Sequence, residues 1–359
     1  MLKSLTNNII LKKKKTWVNH LLNWYAINKR NLPWRKKKNQ NFYSIWISEV
    51  MLQQTKVNTV IPYFVKFKKK WPNFKSFKSA TLNDILLAWK GLGYYQRAHN
   101  IYRTLEILKK KKIYLAFDNL IKLPGIGDYT AASISAILKN GNRAVIDGNI
   151  KRILSRAFNL DEKEKNYLKK ILFYAQSLTP QNNRSEYCQS LMDLGATICI
   201  TKKPKCSVCP VNCLCDFNIN KREHVEKPKK IRNKKFGIVF LIKFKKKYLI
   251  VKSEEKLLQG MFGFPTSDFF SINKTSDINL LKKKTINSWI KSNFLVNSYL
   301  ELGTIKHNFS GFDLKLFIVK IESTKDKIVT NSGLWVEKDK FIDFPFSKLM
   351  SKITSEVIN

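Results

Sequence analysis

The sequence predicts a two-part chain, an all-α N-terminal part followed by a smaller α+β part, and three observations carry that prediction. Apolar residues recur at helical spacing through the first half: Trp46, Val50 and Val57 share one face, as do Ala131, Ile134 and Leu138. From Phe236 the pattern becomes β-branched and aromatic, with strands over Phe236–Ile242 and Tyr248–Lys252 around a lysine turn and another over Leu314–Ile321. Between the two lies Asn218–Lys235, polar and strongly basic with Pro228 in it, which has the composition of a linker. The expected domains are therefore residues 1–217 and 236–359, joined by a basic linker over 218–235. Leu280–Asn293 is the expected helix of the second part, and no internal repeat is visible.

Composition bounds the rest. A chain of 359 residues has room for two or more cores. Its 44% hydrophobic content, with 23 Phe and 8 Trp, excludes wholesale disorder. The longest apolar run, Gly237–Ile242, stops at Lys243, far short of the roughly 18 residues of a membrane span. Met1–Lys15 is Asn-rich with a lysine run and lacks the apolar core of a signal peptide, so the expectation is a cytoplasmic protein without membrane attachment. Lys+Arg number 67 against 26 Asp+Glu, a formal net charge of +41. Such a charge permits a polyanion partner. It also follows from compositional drift, because lysine runs such as Lys12–Lys15 and Lys282–Lys284 recur beside abundant Asn, Ile and Phe. The charge identifies no site.

All six cysteines fall between Cys188 and Cys215. Cys199-x6-Cys206-x2-Cys209-x5-Cys215 is one compact set, which in a reducing compartment favours metal over disulfide. Four-cysteine zinc sites commonly use two C-x2-C pairs, and here there is one, so the spacing favours an iron–sulfur cluster while leaving zinc open. Cys213 could replace Cys215 on spacing alone, and Cys188 reads as a buried small hydrophobe.

Leu123-Pro124-Gly125-Ile126-Gly127 separates two helical patterns, Asp118–Lys122 and Asp128–Leu138. Glycines there allow a tight turn and close approach of backbone to a ligand, and the next helix start offers N–H groups to a phosphate. Two carboxylates complete the candidates. Asp147 ends the apolar run Ala144–Ile146 just before the helical Ile150–Phe158, where a helix N-cap is the ordinary role. Glu49 sits beside Trp46 and Val50, where a partly exposed helix-face glutamate is the ordinary role. As a pair, one protonated and one ionised, they suit cleavage of a glycosidic bond through an oxocarbenium-like state.

Taken together, Leu32-Pro33-Trp34-Arg35, Ser48-Glu49-Val50-Met51-Leu52-Gln53-Gln54-Thr55, Gly91-Leu92-Gly93-Tyr94-Tyr95, Leu123–Gly127, Ile146-Asp147-Gly148-Asn149, Met192-Asp193-Leu194-Gly195-Ala196 and the cysteine loop resemble the MutY type of adenine DNA glycosylase. The resemblance runs in order from about Leu32 to Cys215 and more thinly beyond. It implies a helix-hairpin-helix glycosylase domain with a [4Fe-4S] loop over 199–215, then a Nudix-like domain that senses 8-oxoguanine. It implies a monomer acting on double-stranded DNA that holds A·8-oxoguanine or A·G mispairs. Glu49 becomes the general acid toward adenine N7 and Asp147 the stabiliser of the cationic sugar, with Asn149 and Tyr129 lining the reacting centre. Arg35, Gln54, Tyr94, Gly125 and Gly127 become DNA-binding residues, Gln54 and Tyr94 as wedges into the duplex. Cys199, Cys206, Cys209 and Cys215 become the cluster ligands.

One position separates this family from its relatives, and two features of the C-terminal part depart from the family's pattern. Endonuclease III-type relatives carry a Schiff-base lysine where this chain has Tyr129, and a phenol cannot form that imine, so a monofunctional glycosylase is expected. In the C-terminal part, Gly260–Pro265 resembles the family's glycine-rich turn, but Leu281-Lys282-Lys283-Lys284-Thr285 follows where a Nudix hydrolase needs acidic Mg²⁺ ligands. The lesion-sensing loop of relatives reads Phe-Ser-His, and here Phe309-Ser310 precedes Gly311, which leaves Ser310 as the candidate contact. Two other readings stand beside the main one: a glycosylase for oxidised pyrimidines, and a non-catalytic iron–sulfur DNA-binding protein.

Overall fold

The computed structural model describes residues 2–112, 114–139, 141–220, 232–255, 257–272, 277–293, 298–324 and 333–357. Residues 221–231 of the expected linker lie outside this set. Among the described residues, twelve α-helices precede residue 221: α1 (Leu2–Asn28), α2 (Phe42–Leu52), α3 (Val57–Lys70), α4 (Phe74–Phe77), α5 (Leu82–Trp89), α6 (Gln96–Lys110), α7 (Phe117–Leu120), α8 (Asp128–Lys139), α9 (Gly148–Ala157), α10 (Tyr167–Leu178), α11 (Arg184–Thr197) and α12 (Asp216–Ile219). Among the described residues no helix is long and apolar enough to cross a membrane. The chain divides into two compact units, Met1–Ser79 with Arg103–Lys227, and Ala80–Tyr102 with Pro228–Asn359.

In the first unit the helix starts follow from local chemistry. The Asn41 side chain accepts from Ser44 N to cap α2, and the Asp147 side chain accepts from Ile150 N to cap α9, each cap contributing about 1 kcal/mol. The stripe expected to run from Trp46 through Val50 to Val57 stops at Val50. Gln54 adopts a left-handed backbone (φ 57°), which ends α2, and Val57 opens α3 in a new direction. The core beneath α1, α9, α10 and α11 buries Trp17, Leu21, Ile153, Leu154, Ile171, Leu178, Leu191 and Leu194. Burial of each such side chain stabilises the unit by roughly 1.5–3 kcal/mol. A second, aromatic cluster holds Tyr43, Phe67, Trp71 and Phe77 with ring centroids 4.6–5.3 Å apart. The Tyr43 hydroxyl donates to Trp71 O at 2.8 Å and so is not left unsatisfied by its burial.

The second unit is built on a mixed sheet of β1 (Asn233–Phe244), β2 (Lys247–Lys252), β3 (Phe262–Gly263), β4 (Phe270–Ser271), β5 (Leu300–Asn308), β6 (Phe312–Glu322) and β7 (Gly333–Glu337), with α13 (Ile278–Asn293) and α14 (Lys348–Val357). The path is β3-β2-β1-β6-β5, with β4 on β1 and β7 on β2. β1 and β6 run parallel from Asn233↔Phe312 to Lys243↔Glu322, and the other pairings are antiparallel. Strand alternation explains why Phe236–Ile242 reads as a continuous apolar run. Val239 and Leu241 face one core with Leu349 and Ile353 of α14, and Ile238, Phe240 and Ile242 face another with Ile286 and Ile290 of α13. Both faces are covered, so no polar face is needed.

Candidate active site

Glu49 is not the partly exposed glutamate its sequence position suggests. It is 4% exposed, on an α2 whose residues from Tyr43 to Met51 are all buried. Burial pushes its pKa up to about 7, with the negative charge of Asp147 adding to the rise. Hydrogen bonding by Tyr129, the Ser133 hydroxyl alongside, and the charge of Arg35 pull the other way. Glu49 Oε2 and Ser133 Oγ nevertheless lack a partner of good hydrogen-bond geometry. Burial, Glu49 and Asp147 together push the Tyr129 phenol well above its ordinary value, so it remains a donor.

Asp147 fills its expected capping role, and more. Its Oδ1 accepts from Ile150 N at 2.7 Å, while Oδ2 accepts from Asn149 Nδ2 at 3.1 Å. Asn149 is itself oriented by Arg152, whose Nη2 donates to Asn149 Oδ1 at 2.9 Å and to Gly195 O at 2.8 Å. Arg152 Nε donates to Cys199 O at 2.8 Å. One chain of hydrogen bonds therefore runs from the cysteine loop through Arg152 and Asn149 to the Asp147 carboxylate. Gly195 makes room for it, because a Cβ there would lie 2.6 Å from Asn149 Cβ. Sequence reasoning missed Arg152, although its position one helical turn before Arg156 was a usable signal.

The hairpin between α7 and α8 turns through Gly125 (φ 76°), a conformation that favours glycine. Its carbonyls are held by side chains: Thr104 Oγ1 donates to Pro124 O at 3.0 Å, and Gln53 Nε2 donates to Gly125 O at 3.2 Å. Gln53 also reaches Thr130 Oγ1 at 3.2 Å, so it ties α2 to the hairpin, a role the sequence did not reveal. Its neighbour Gln54, with its left-handed backbone, is exposed. In the other unit Tyr94 likewise has φ 51° and is 43% exposed, its ring 5.3 Å from the Arg97 guanidinium.

Cys199, Cys206, Cys209 and Cys215 line one pocket together with Arg156 and Phe217. Cys213 is exposed and does not line it, and Cys188 is buried in the core. Arg156 Nη1 donates to Ile200 O at 2.7 Å and lies 3.3 Å from Cys199 Sγ, so α9 braces the loop with two arginines. Among the described residues no group of three or more His, Cys, Asp or Glu is arranged to hold a metal ion. Four thiol donors sharing one pocket edged by a cationic guanidinium match the soft-ligand chemistry that an iron–sulfur group would need.

The remaining candidates sit elsewhere. Arg35 points its terminal nitrogens at Asp193, Nη1 to Oδ2 at 2.7 Å and Nη2 to Oδ1 at 2.9 Å. Ser310 is exposed at the tip between β5 and β6. That tip is closed by Phe309 N donating to Phe312 O at 2.9 Å and by Arg232, which donates to Asp313 Oδ1 at 2.7 Å and also reaches Phe309 O.

The glycine hairpin between two helices and the buried Glu49 carboxyl fit a base-excision DNA glycosylase. Comparison with known proteins agrees. Residues 47–175 match the HhH-GPD superfamily of base excision DNA repair proteins, and residues 238–356 match the NUDIX domain. An adenine DNA glycosylase of Buchnera aphidicola subsp. Schizaphis graminum is 37% identical over 93% of this chain and 96% of its own. The human adenine DNA glycosylase is 37% identical over 54% of this chain and 38% of its own. Among solved structures, a thermostable thymine-DNA glycosylase superposes with a TM-score of 0.53 at 27% identity, covering 58% of this chain and 98% of that one. The chain belongs to the adenine DNA glycosylase family, with a Nudix-like domain in its C-terminal part.

Proposed function

We propose that this enzyme hydrolyses the N-glycosidic bond of adenine mispaired with 8-oxoguanine or guanine in double-stranded DNA, as a monomeric, monofunctional, cytoplasmic glycosylase. The observation that carries this reading is the buried Glu49 carboxyl, half-protonated near neutrality, with Oε2 lacking a well-formed hydrogen bond. An adenine turned out of the stack presents N7 to such an acid. Protonation lets the C–N bond break with its electron pair leaving on the base. Positive charge then develops on the sugar, and Asp147, held by Ile150 N and Asn149, is the carboxylate that faces it. Water completes the hydrolysis. Tyr129 and Asn149 line this centre, and Tyr129 offers no amine for a Schiff base.

In the same reading Gln54 and Tyr94 wedge into the duplex, Gly125 and Gly127 let the hairpin approach a phosphate, and Ser310 contacts the oxidised guanine. Cys199, Cys206, Cys209 and Cys215 hold a [4Fe-4S] cluster, and their shared pocket beside Arg156 supports that set. A cluster held by these four residues would crosslink the loop. The deciding assay uses labelled duplexes holding A·8-oxoguanine, A·G or thymine glycol. Adenine release from the first two, with strand breakage only after alkali, is expected. Release solely from the thymine glycol duplex would overturn the reading.

A further inference from the structure

In chain order Ala80–Tyr102 runs from just after α4 to the middle of α6, yet it belongs to the compact unit of Pro228–Asn359. Three contacts hold it there. His99 Nε2 donates to Gln259 O at 2.8 Å, since a carbonyl can only accept. The Tyr95 hydroxyl accepts from Lys348 N at 3.3 Å, taking one of the N–H groups that the start of α14 leaves over. Lys90 Nζ lies 5.7 Å from the centre of the Phe346 ring. The seat beside Gly260 is close, because a Cβ there would lie 3.1 Å from His99 Nε2 and from Leu86 Cδ1. Both His99 and Tyr95 are buried, so neither hydrogen bond is exchanged for water without cost.

The same stretch presents Tyr94. Gly91, Gly93 and Tyr94 have φ of 89°, 78° and 51°, three left-handed residues within four positions. Tyrosine takes that conformation only where its surroundings impose it. Here Trp89 and Arg97 impose it. Trp89 Nε1 and Arg97 Nη2 donate to Gly93 O at 3.2 and 3.0 Å, and Arg97 N and Nε donate to Tyr94 O at 2.9 and 3.4 Å. Arg97 is buried, with its guanidinium 5.4 Å from the Trp89 ring. Tyr95 and His99 stand two residues to either side of it, joined by His99 N donating to Tyr95 O at 3.2 Å.

We infer that Tyr95 and His99 are positioning residues for the DNA wedge: they fasten the first turn of α6 to the C-terminal part of the chain, and that turn, through Arg97, holds Tyr94 exposed and left-handed. This rests on the reading of Tyr94 as a wedge into the duplex. A tyrosine on a loosened turn has to be ordered each time the base stack opens, and that ordering raises the barrier to base release.

The test uses the full chain and a duplex with 2-aminopurine placed beside an A·8-oxoguanine pair, where unstacking raises the fluorescence. Wild type gives that rise on binding, and Tyr94→Ala does not. At saturating enzyme, His99→Leu and Tyr95→Phe each diminish the rise and slow single-turnover adenine release by about fivefold. His99→Gln, whose amide can donate to Gln259 O, restores both. Placed in the Tyr94→Ala background, the two substitutions slow release no further, because the wedge they serve is gone. Equal slowing with and without Tyr94 means a general structural role and overturns the inference. So does a full fluorescence rise in folded His99→Leu and Tyr95→Phe. Should His99→Leu fail to fold, Tyr95→Phe, which keeps the ring and deletes only the hydroxyl, carries the test. A full rise from Tyr94→Ala overturns the wedge reading, and the inference with it.

Discussion

Glu49 is buried with Tyr129 as the neighbour whose hydrogen bonding favours its charged form, while its Oε2 is without a hydrogen-bond partner. The enclosure that produces this state has a measurable cost. The Glu49 pKa is about 7 in the fold against 4.5 for a free side chain, so the folded protein binds the extra proton. Stability is unpenalised below the lower value and falls as pH rises between the two. Above about pH 7 the penalty is roughly 3 kcal/mol. Glu49→Gln is therefore expected to melt at a higher temperature than wild type in alkaline buffer, with the gap closing toward the unfolded pKa. The same variant should lose base release and retain duplex binding. Thermal melts across that pH range and a glycosylase assay check both.

The two hairpin glycines should respond differently to alanine. Gly125 has φ 76°, so Gly125→Ala strains the turn and destabilises the fold by about 1 kcal/mol. Gly127 has open space where a Cβ would go. Gly127→Ala is expected to melt like wild type yet bind duplex DNA more weakly, since the added methyl occupies the approach of the backbone. Melting temperatures alongside filter-binding titrations distinguish the two effects.

The cysteine set predicts an asymmetry between two near neighbours in the chain. Cys215 lines the shared pocket and Cys213 is exposed outside it. Cys215→Ser should lose the visible absorbance of an iron–sulfur cluster and its iron content, while Cys213→Ser should keep both. Equal loss in the two variants would change the ligand set.

Gly311 lies at the β5–β6 tip with no atom within 4 Å of a built Cβ, and it is not among the glycines with positive φ. A side chain fits there without strain. If Ser310 reads the damaged base, Gly311→His adds an imidazole next to it and raises the rate ratio of A·8-oxoguanine over A·G, with little change in melting temperature. Competition between the two duplexes in one reaction measures that ratio.

How far the chain itself disclosed its structure varies by element. The sheet was readable because β1 is covered on both sides, which turns the usual alternation into an unbroken apolar run. The Asp147 cap was readable because it depends on residues at most three positions away. The burial of Glu49 was missed when one stripe of α2 was weighed alone. The whole segment from Phe42 to Leu52 carries a single charged residue, and a helix apolar on all sides is an interior one. The Arg152 and Asp193 contacts span more than 40 and 150 residues respectively, and local pattern holds no information about them. They arise when α9, α11 and the turn before α2 are brought together by the core.

The placement of Asp147, Arg152 and Arg156 on or beside α9 has a consequence for how this gene can change. Each residue added to a helix rotates the downstream segment by about 100° and advances it by about 1.5 Å. An insertion or deletion between Asp147 and Arg152 would swing both arginines off the cysteine loop while the cap stayed where it was. Indels should therefore be absent from this stretch in working descendants, even where point substitutions on its outer surface accumulate freely.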